Sequence, residues 1–285
     1  MRRATVYRYP RTGMRPARAA LAAGVLCLLP ACAGALLSAL GWLPHDPTAF
    51  VASPHAPPSP SLWLGADALG RDLAARLAGA AAGLALPGLA AVAAAVVLGA
   101  FLGLTEGLAP RPFRALATWL AESVDSIPKV VTALLVAAAT GNRPVWTMAA
   151  LGAAFAPQMA ECIRSSVEEL RSHTFIEAER CLGVNPLRIA VVHILWAHAR
   201  AVLLAQVSAL LSYVVLVEAS LSYLGGGLGV QEPVPSWGNM LALARDGLFQ
   251  GHWMPAVAPA VVLSLTLLGF TLVGRALLAS AEDRP

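Results

Sequence analysis

"LAGAAAGLALPGLAAVAAAVVLGAFLGLT", residues 77–105, separates Arg76 from Glu106 by 29 residues without a formal charge. About 20 apolar residues in a helix cross the ~30 Å hydrocarbon core of a bilayer. This run is long enough to cross. Two more behave alike, with 26 uncharged or apolar residues between Arg18 and His45 and 22 between His252 and Arg275. Charged residues make up 13% of the 285-residue chain and mean hydropathy is +0.67. Soluble domains carry about 25% charged residues, and a soluble globule has no use for three such runs. A membrane β-barrel would alternate in short segments, which this chain does not do. The sequence predicts an all-α polytopic membrane protein with about six transmembrane helices.

Spans are predicted at 19–42, 78–105, 117–140, 145–163, 200–224 and 254–278. The third is the most polar, since it contains Glu122, Asp125 and Lys129. Basic residues test the count, because loops rich in Lys and Arg stay cytoplasmic. With six spans and both termini inside, fifteen Arg fall on the cytoplasmic side and four outside. That division yields a basic cytoplasmic N-terminus (1–18), a first transmembrane helix (19–42), an external segment (43–77), a core with five further spans (78–278) and a cytoplasmic tail (279–285). Topology therefore explains the net charge of +4, and no nucleic-acid partner is expected. The apolar run continues past Cys32, beyond the roughly 7–15 residues of a signal-peptide core, so the first span is expected to be uncleaved. The four cysteines contain no C-x-x-C pair, and neither a disulfide framework nor a zinc site is implied.

Between spans four and five lies a polar insert, "TFIEAERCLGVNPLRIAVVHILW", residues 174–196. Thr174 and Glu177 have the spacing of a capping box. Gly183 suits the position just past a helix end. Asn185-Pro186 suits a new N-cap with proline in the first turn. These signals predict a two-turn helix over 175–182, a break, and a second helix from 186. Phe175, Ala178 and Leu182 share one face of the first helix, with Glu177, Glu179 and Arg180 around it. Two turns are not stable alone in water. The helix packs either on its own loop or in a groove of a cytoplasmic partner.

The insert resembles the cytoplasmic E-A-A signature of binding-protein-dependent ABC transporter permeases: Glu177-Ala178-Glu179, then Gly183, then His193-Ile194-Leu195-Trp196. It departs from that pattern at Glu179, where the family has Ala, and at Trp196, where it has Pro. Two more stretches are similar to the dipeptide/oligopeptide/nickel group. "LGADALGRDLAARLAGA" at 64–80 resembles G-T-D-x-x-G-R-D-x-x-S-R-x-x-x-G, with Ala66 and Ala75 replacing Thr and Ser. "VEASLSYLGGGLGVQEPVPSWGNML" at 217–241 resembles E-A-S-L-S-F-L-G-L-G-x-Q-P-P-x-P-S-W-G, with extra glycine in 225–227. The last span reads Phe270-Thr271-Leu272-Val273-Gly274-Arg275 where the family has F-N-L-L-G-D. The resemblance covers about residues 60–278 and identifies the second, six-span permease type.

The resemblance implies that 174–186 couples the membrane domain to an ATPase, through Thr174, Phe175, Glu177, Ala178, Glu179, Arg180, Leu182 and Gly183. It also implies a second permease, two ATPase subunits holding ATP and Mg, and an external solute-binding protein, all in a bacterial cytoplasmic (inner) membrane. The implied cargo is a di- or oligopeptide, or alternatively nickel or a metal chelate. Asp125 and Lys129 are spaced i, i+4; they either neutralise each other within a helix or line a path. Glu218 either receives cargo or fixes a gate. Arg71, Asp72 and Trp237 either contact the binding protein or need no function, the first two as a solvated pair. Pro87, Pro128 and Pro157 are hinges or plain kinks. No G-x-x-x-x-G-K-[ST] loop is present, so this chain cannot cradle nucleotide phosphates in that way. No catalytic, cofactor or metal constellation is expected. A stand-alone secondary transporter or channel would require inverted repeats and mid-membrane charges, of which only Asp125 and Lys129 hint. A membrane-bound enzyme would require a catalytic cluster.

Overall fold

A computed structural model of the chain describes residues 14–139, 141, 143–170, 176, 179, 181–225 and 229–282. Among these the regular structure is helical: α1 (Met14–Ala39), α2 (Leu73–Leu108), α3 (Arg111–Asp125), α4 (Lys129–Ala139), α5 (Pro144–Ala154) and α6 (Ala156–Leu170) come first. A segment α7 opens as Pro186–Arg188, continues as a π-helix over Ile189–Ala199 and runs into α8 (Arg200–Leu224). Then follow α9 (Trp237–Phe249) and α10 (Met254–Glu282). The chain is an all-α polytopic membrane protein. Among the described residues, four stretches are long and apolar enough to cross a bilayer: Ala17–Ala39, Leu73–Leu108, Arg200–Leu224 and Met254–Ser280.

The expected third and fourth spans are not single helices. Span three is α3 followed by α4, divided at Ser126-Ile127-Pro128. Pro128 has no N–H for the helical ladder and pushes Ile127 away from helical geometry. Span four is α5 followed by α6, kinked at Phe155. The ladder crosses the kink, with Phe155 N–H donating to the Leu151 carbonyl at 3.2 Å and Met159 N–H to the Phe155 carbonyl at 3.3 Å. Pro157, lacking an N–H, cannot bond the Ala153 carbonyl.

Helix α2 organises the bundle. Its 36 residues extend about 54 Å, so it protrudes beyond the hydrocarbon core. Asp72 caps it, accepting from the N–H groups of Ala74 and Ala75 at 2.9 and 3.3 Å. Its far half packs on α6 through Gly99, Gly103 and Gly107. A Cβ at Gly99 would lie 2.5 Å from the Met159 Cβ, and one at Gly103 2.6 Å from the Ala160 carbonyl oxygen. Small residues every fourth position let two helices touch backbone to backbone. Other faces of α2 meet α1, α3, α5 and α8. Helix α10 lies against α1 and α8, where Ser208 donates to the Phe270 carbonyl at 2.6 Å. Such hydrogen bonds between helices are well suited to an apolar surrounding. Helix α9 packs on α8 and α10.

Candidate functional site

At one end of the bundle lies the polar insert. Thr174, Phe175, Glu177, Ala178 and Arg180 fall outside the described residues. Those that are described define how the helix ends. Gly183 has φ +77, and Val184 N–H donates to the Glu179 carbonyl at 3.1 Å. This is the six-to-one bond of a Schellman stop, which needs a left-handed residue before it. Asn185 restarts the chain as a helix by accepting from Leu187 N–H at 2.8 Å. Two anchors hold the insert. Ile176 is fully buried in a cluster with Val167 of α6 and Ile189, Ala190 and Ile194 of α7. Glu179 pairs with His193 Nδ1 at 2.8 Å. The departure at Glu179 therefore ties the insert to α7 instead of adding a free charge to its surface. Leu182, by contrast, is 81% exposed.

At the opposite end, the external segment meets the loop before α9. Arg71 and Asp72 are each only 1% exposed, which corrects the expectation of a solvated pair. They do not bond each other through their side chains. Arg71 donates through Nε to Asp67 at 2.7 Å and through a terminal nitrogen to Glu232. Arg76 donates to the other Glu232 oxygen at 2.8 Å and to the carbonyls of Pro47 and Pro233, both at 3.3 Å. Asp72, besides capping α2, bonds His45 Nδ1 at 2.8 Å. Two guanidiniums and two carboxylates thus clamp three segments together, and only Glu232 is substantially open to solvent. Buried charges persist where they are paired. Trp237 is also buried, its indole N–H donating to the Leu77 carbonyl at 3.3 Å. None of these three side chains offers a free surface to a partner in this conformation.

Beside the clamp is a cavity of about 530 Å³, walled by α2, Gly141, Pro144, α8 and the 229–236 loop. Glu218 lines it. The Ser222 hydroxyl donates to Glu218 at 2.7 Å and accepts from Val230 N–H at 2.8 Å. Asn239 donates to the Val230 and Val234 carbonyls at 3.2 and 2.8 Å. The carboxylate thus belongs to a network that fastens the 229–236 loop to α8.

A second cavity, of about 680 Å³, opens at the insert end between α2, α3, α6 and α8. Glu106, Glu122, Asp125, Glu161 and Glu168 line it, with Arg114 and Arg164. Arg164 serves three carboxylates, Glu161 at 2.6 Å, Glu168 at 2.9 Å and Glu106 at 3.5 Å, which leaves a negative field. Asp125 and Lys129 do pair, at 2.9 Å, but across the break between α3 and α4 instead of within one helix. Lys129 also stands 5.2 Å from the Phe155 ring centroid. Asp125 and Glu218 therefore line different cavities. Sequence reading missed Asp67, Arg76, Glu232 and Arg164. Asp67 and Arg76 lie in the quoted 64–80 stretch, whereas nothing local marks Glu232 as their partner.

The family described as binding-protein-dependent transport system inner membrane component matches residues 95–284. The di/tripeptide transport system permease of Pseudomonas aeruginosa (strain UCBPP-PA14) is 32% identical over 211 residues, 74% of this chain and 68% of that one. The probable D,D-dipeptide transport system permease of Escherichia coli (strain K12) is 31% identical over 235 residues, 82% and 78% of the two chains. The glutathione transport system permease of Pectobacterium atrosepticum is 31% identical over 218 residues, 76% and 71%. Together with the apolar helices and the polar insert, these matches establish that the chain belongs to the family of inner membrane components of binding-protein-dependent transport systems, as a permease subunit.

Proposed function

We propose that this permease serves an ATP-driven importer of di- or oligopeptides and forms half of its translocation path. Two ATPase subunits, carrying ATP and Mg, dock on the 174–186 insert; a second permease completes the path; an external solute-binding protein delivers cargo. Both termini are cytoplasmic and the membrane is the bacterial cytoplasmic one. The coupling face would centre on Leu182, with Phe175, Ala178 and the charged Glu177 and Arg180 in the same short helix. ATP-driven closure of the ATPases would pull this helix, and α7 would pass the movement into α8. Asp125 and Lys129, bridging the α3–α4 break beside the inner cavity, sit where the path would lead inward. The clamp of Arg71, Arg76, Asp67 and Glu232 would hold the outer face on which the binding protein lands.

One observation carries the coupling reading. The insert is fixed to its own chain by Ile176 and by Glu179–His193, yet leaves Leu182 at 81% exposure. An insert held from behind at Ile176 and Glu179, with an exposed apolar residue at Leu182, is suited to transmit force through a partner's groove. The peptide cargo is supported by the similarity to permeases named for di/tripeptides and D,D-dipeptides.

The test is co-expression with the neighbouring transporter genes and affinity purification of the tagged chain in mild detergent. The native chain should bring down an ATPase and a second permease. Leu182→Asp should lose the ATPase while keeping the second permease. A native chain that purifies alone, with the candidate partners expressed, would reject the importer assembly.

A further inference from the structure

We propose that the outer cavity beside Glu218 is a binding site for the ammonium group of cargo, such as a peptide amino terminus. This rests on the permease reading, whose path it would make specific.

Among the described residues, Glu218 is the sole ionisable one in the cavity lining. Its side chain is more than nine-tenths buried, at 6% exposure. The side chain that donates to it, Ser222, is a neutral hydroxyl. Among the described residues no basic side chain pairs with it; Arg71 and Arg76 pair with Asp67 and Glu232. A buried carboxylate held only by neutral donors lacks a counter-charge. A primary ammonium supplies one, with three N–H donors for the remaining carboxylate lone pairs. Among the described residues no cation lines the cavity to take a carboxylate, so the site distinguishes one end of a zwitterion from the other.

Gly83 provides an independent observation. It lies within α2, where glycine is less favourable than alanine by about 1 kcal/mol. Gly99, Gly103 and Gly107 in the same helix are explained by α6, against which a Cβ would press. At Gly83 a Cβ would meet nothing within 4 Å. No packing requires this glycine; its missing side chain instead adds room to the cavity next to Pro87. A volume of about 530 Å³ falls within the roughly 300–1,000 Å³ of small-molecule sites.

The test reads charge preference at position 83 without knowledge of the cargo. In the co-expressed complex, Cys27, Cys32, Cys162 and Cys181 are replaced by Ala and Gly83→Cys is introduced. Its labelling rates with 2-(trimethylammonio)ethyl and 2-sulfonatoethyl methanethiosulfonate are compared with those of a free thiol. A buried carboxylate in a cleft should favour the cationic reagent by about tenfold. Glu218→Gln should abolish that preference and Glu218→Asp should keep it. Dialanine should slow the labelling and N-acetyl-dialanine should not. An unreactive Cys at 83, a preference unchanged by Glu218→Gln, or equal protection by the two dipeptides would overturn the proposal. Gly83→Leu, which places a large side chain in the cavity, should still co-purify with the ATPase but lose dialanine uptake; normal uptake would also overturn it. Loss of the ATPase from the native complex would instead count against the importer reading, which the charge preference does not measure.

Discussion

Glu232 bonds Arg71 and Arg76, residues 161 and 156 positions away in the chain. One carboxylate thereby fixes the loop before α9 to the entrance of α2. Asp67 supplies the other countercharge, so two fully buried guanidiniums depend on two acids. Glu232→Gln keeps the shape and removes half of that charge. The loss should be about 1–3 kcal/mol, reduced by the solvent that reaches residue 232. Thermal unfolding of the detergent-solubilised chain should move down by several degrees. Arg245→Gln, which breaks an exposed pair with Asp246, should change it by less than about 0.5 kcal/mol. Equal effects from the two substitutions would show that the clamp contributes nothing special.

His55 and His252 stack face to face, with ring centroids 4.2 Å apart and planes within 5°. Burial holds the His55 pKa below its ordinary value of 6.5; the nearby His252 lowers it further, and Asp67 opposes both. A depressed folded-state pKa means that folding favours the neutral ring. Its stabilising effect is complete above pH 6.5 and declines as pH falls through the lower, folded value. The join between the external segment and the α9–α10 turn should loosen in mild acid. His252→Phe keeps an aromatic face and removes the imidazole that lowers the His55 pKa. Unfolding temperatures at pH 7.5 and 5.5 should differ less in this variant than in the native chain. An identical difference would remove the histidine pair from the explanation.

Two glycines of α2 should respond with opposite signs. At Gly83 an added Cβ enters open space, so Gly83→Ala should stabilise by about 0.4–1 kcal/mol through a less disordered unfolded chain and better helix propensity. At Gly103 the same methyl would lie 2.6 Å from the Ala160 carbonyl oxygen and 2.9 Å from the Ile163 Cβ. Neither backbone nor a β-branched side chain yields easily, and overpacking should cost about 1–3 kcal/mol. Unfolding temperature measured side by side decides the matter, since a simple propensity effect would raise both.

The long helices were legible because an uncharged run has few alternatives to a membrane-crossing helix. The divisions within spans three and four were not read, although Pro128 and Pro157 stand at both. Proline is tolerated in membrane helices where neighbours satisfy the freed carbonyls, so its presence does not decide between kink and break. The stop at Gly183 and the restart at Asn185-Pro186 were legible because each depends on a local backbone requirement. The clamp was not, because charge pairing across more than 150 residues leaves no local spacing. Asp67 and Arg71 look like a helical i, i+4 pair, yet α2 begins only at Leu73. Their geometry comes from a turn, not from a helix face.

The insert shows the same limit and leads to its own test. Periodicity placed Leu182 on the apolar face, while the structure buries Ile176 and exposes Leu182. Which face turns inward is set by Val167, Ile189 and Ile194, and these approach only after α6 and α7 have packed. The two residues should therefore separate folding from coupling. Ile176→Ala removes a fully buried side chain and should destabilise the chain by about 2–5 kcal/mol. Leu182→Ala removes an exposed one and should alter stability by less than about 0.5 kcal/mol. In the assembled transporter the order should reverse: Leu182→Ala should weaken retention of the ATPase severalfold, while the Ile176→Ala chain that remains folded should retain it better. Stability is read by thermal unfolding of the isolated chain, and retention by the ATPase-to-permease ratio after purification. If both substitutions lower both readouts in parallel, Leu182 packs on its own chain in the assembled state and the coupling surface lies elsewhere on the insert.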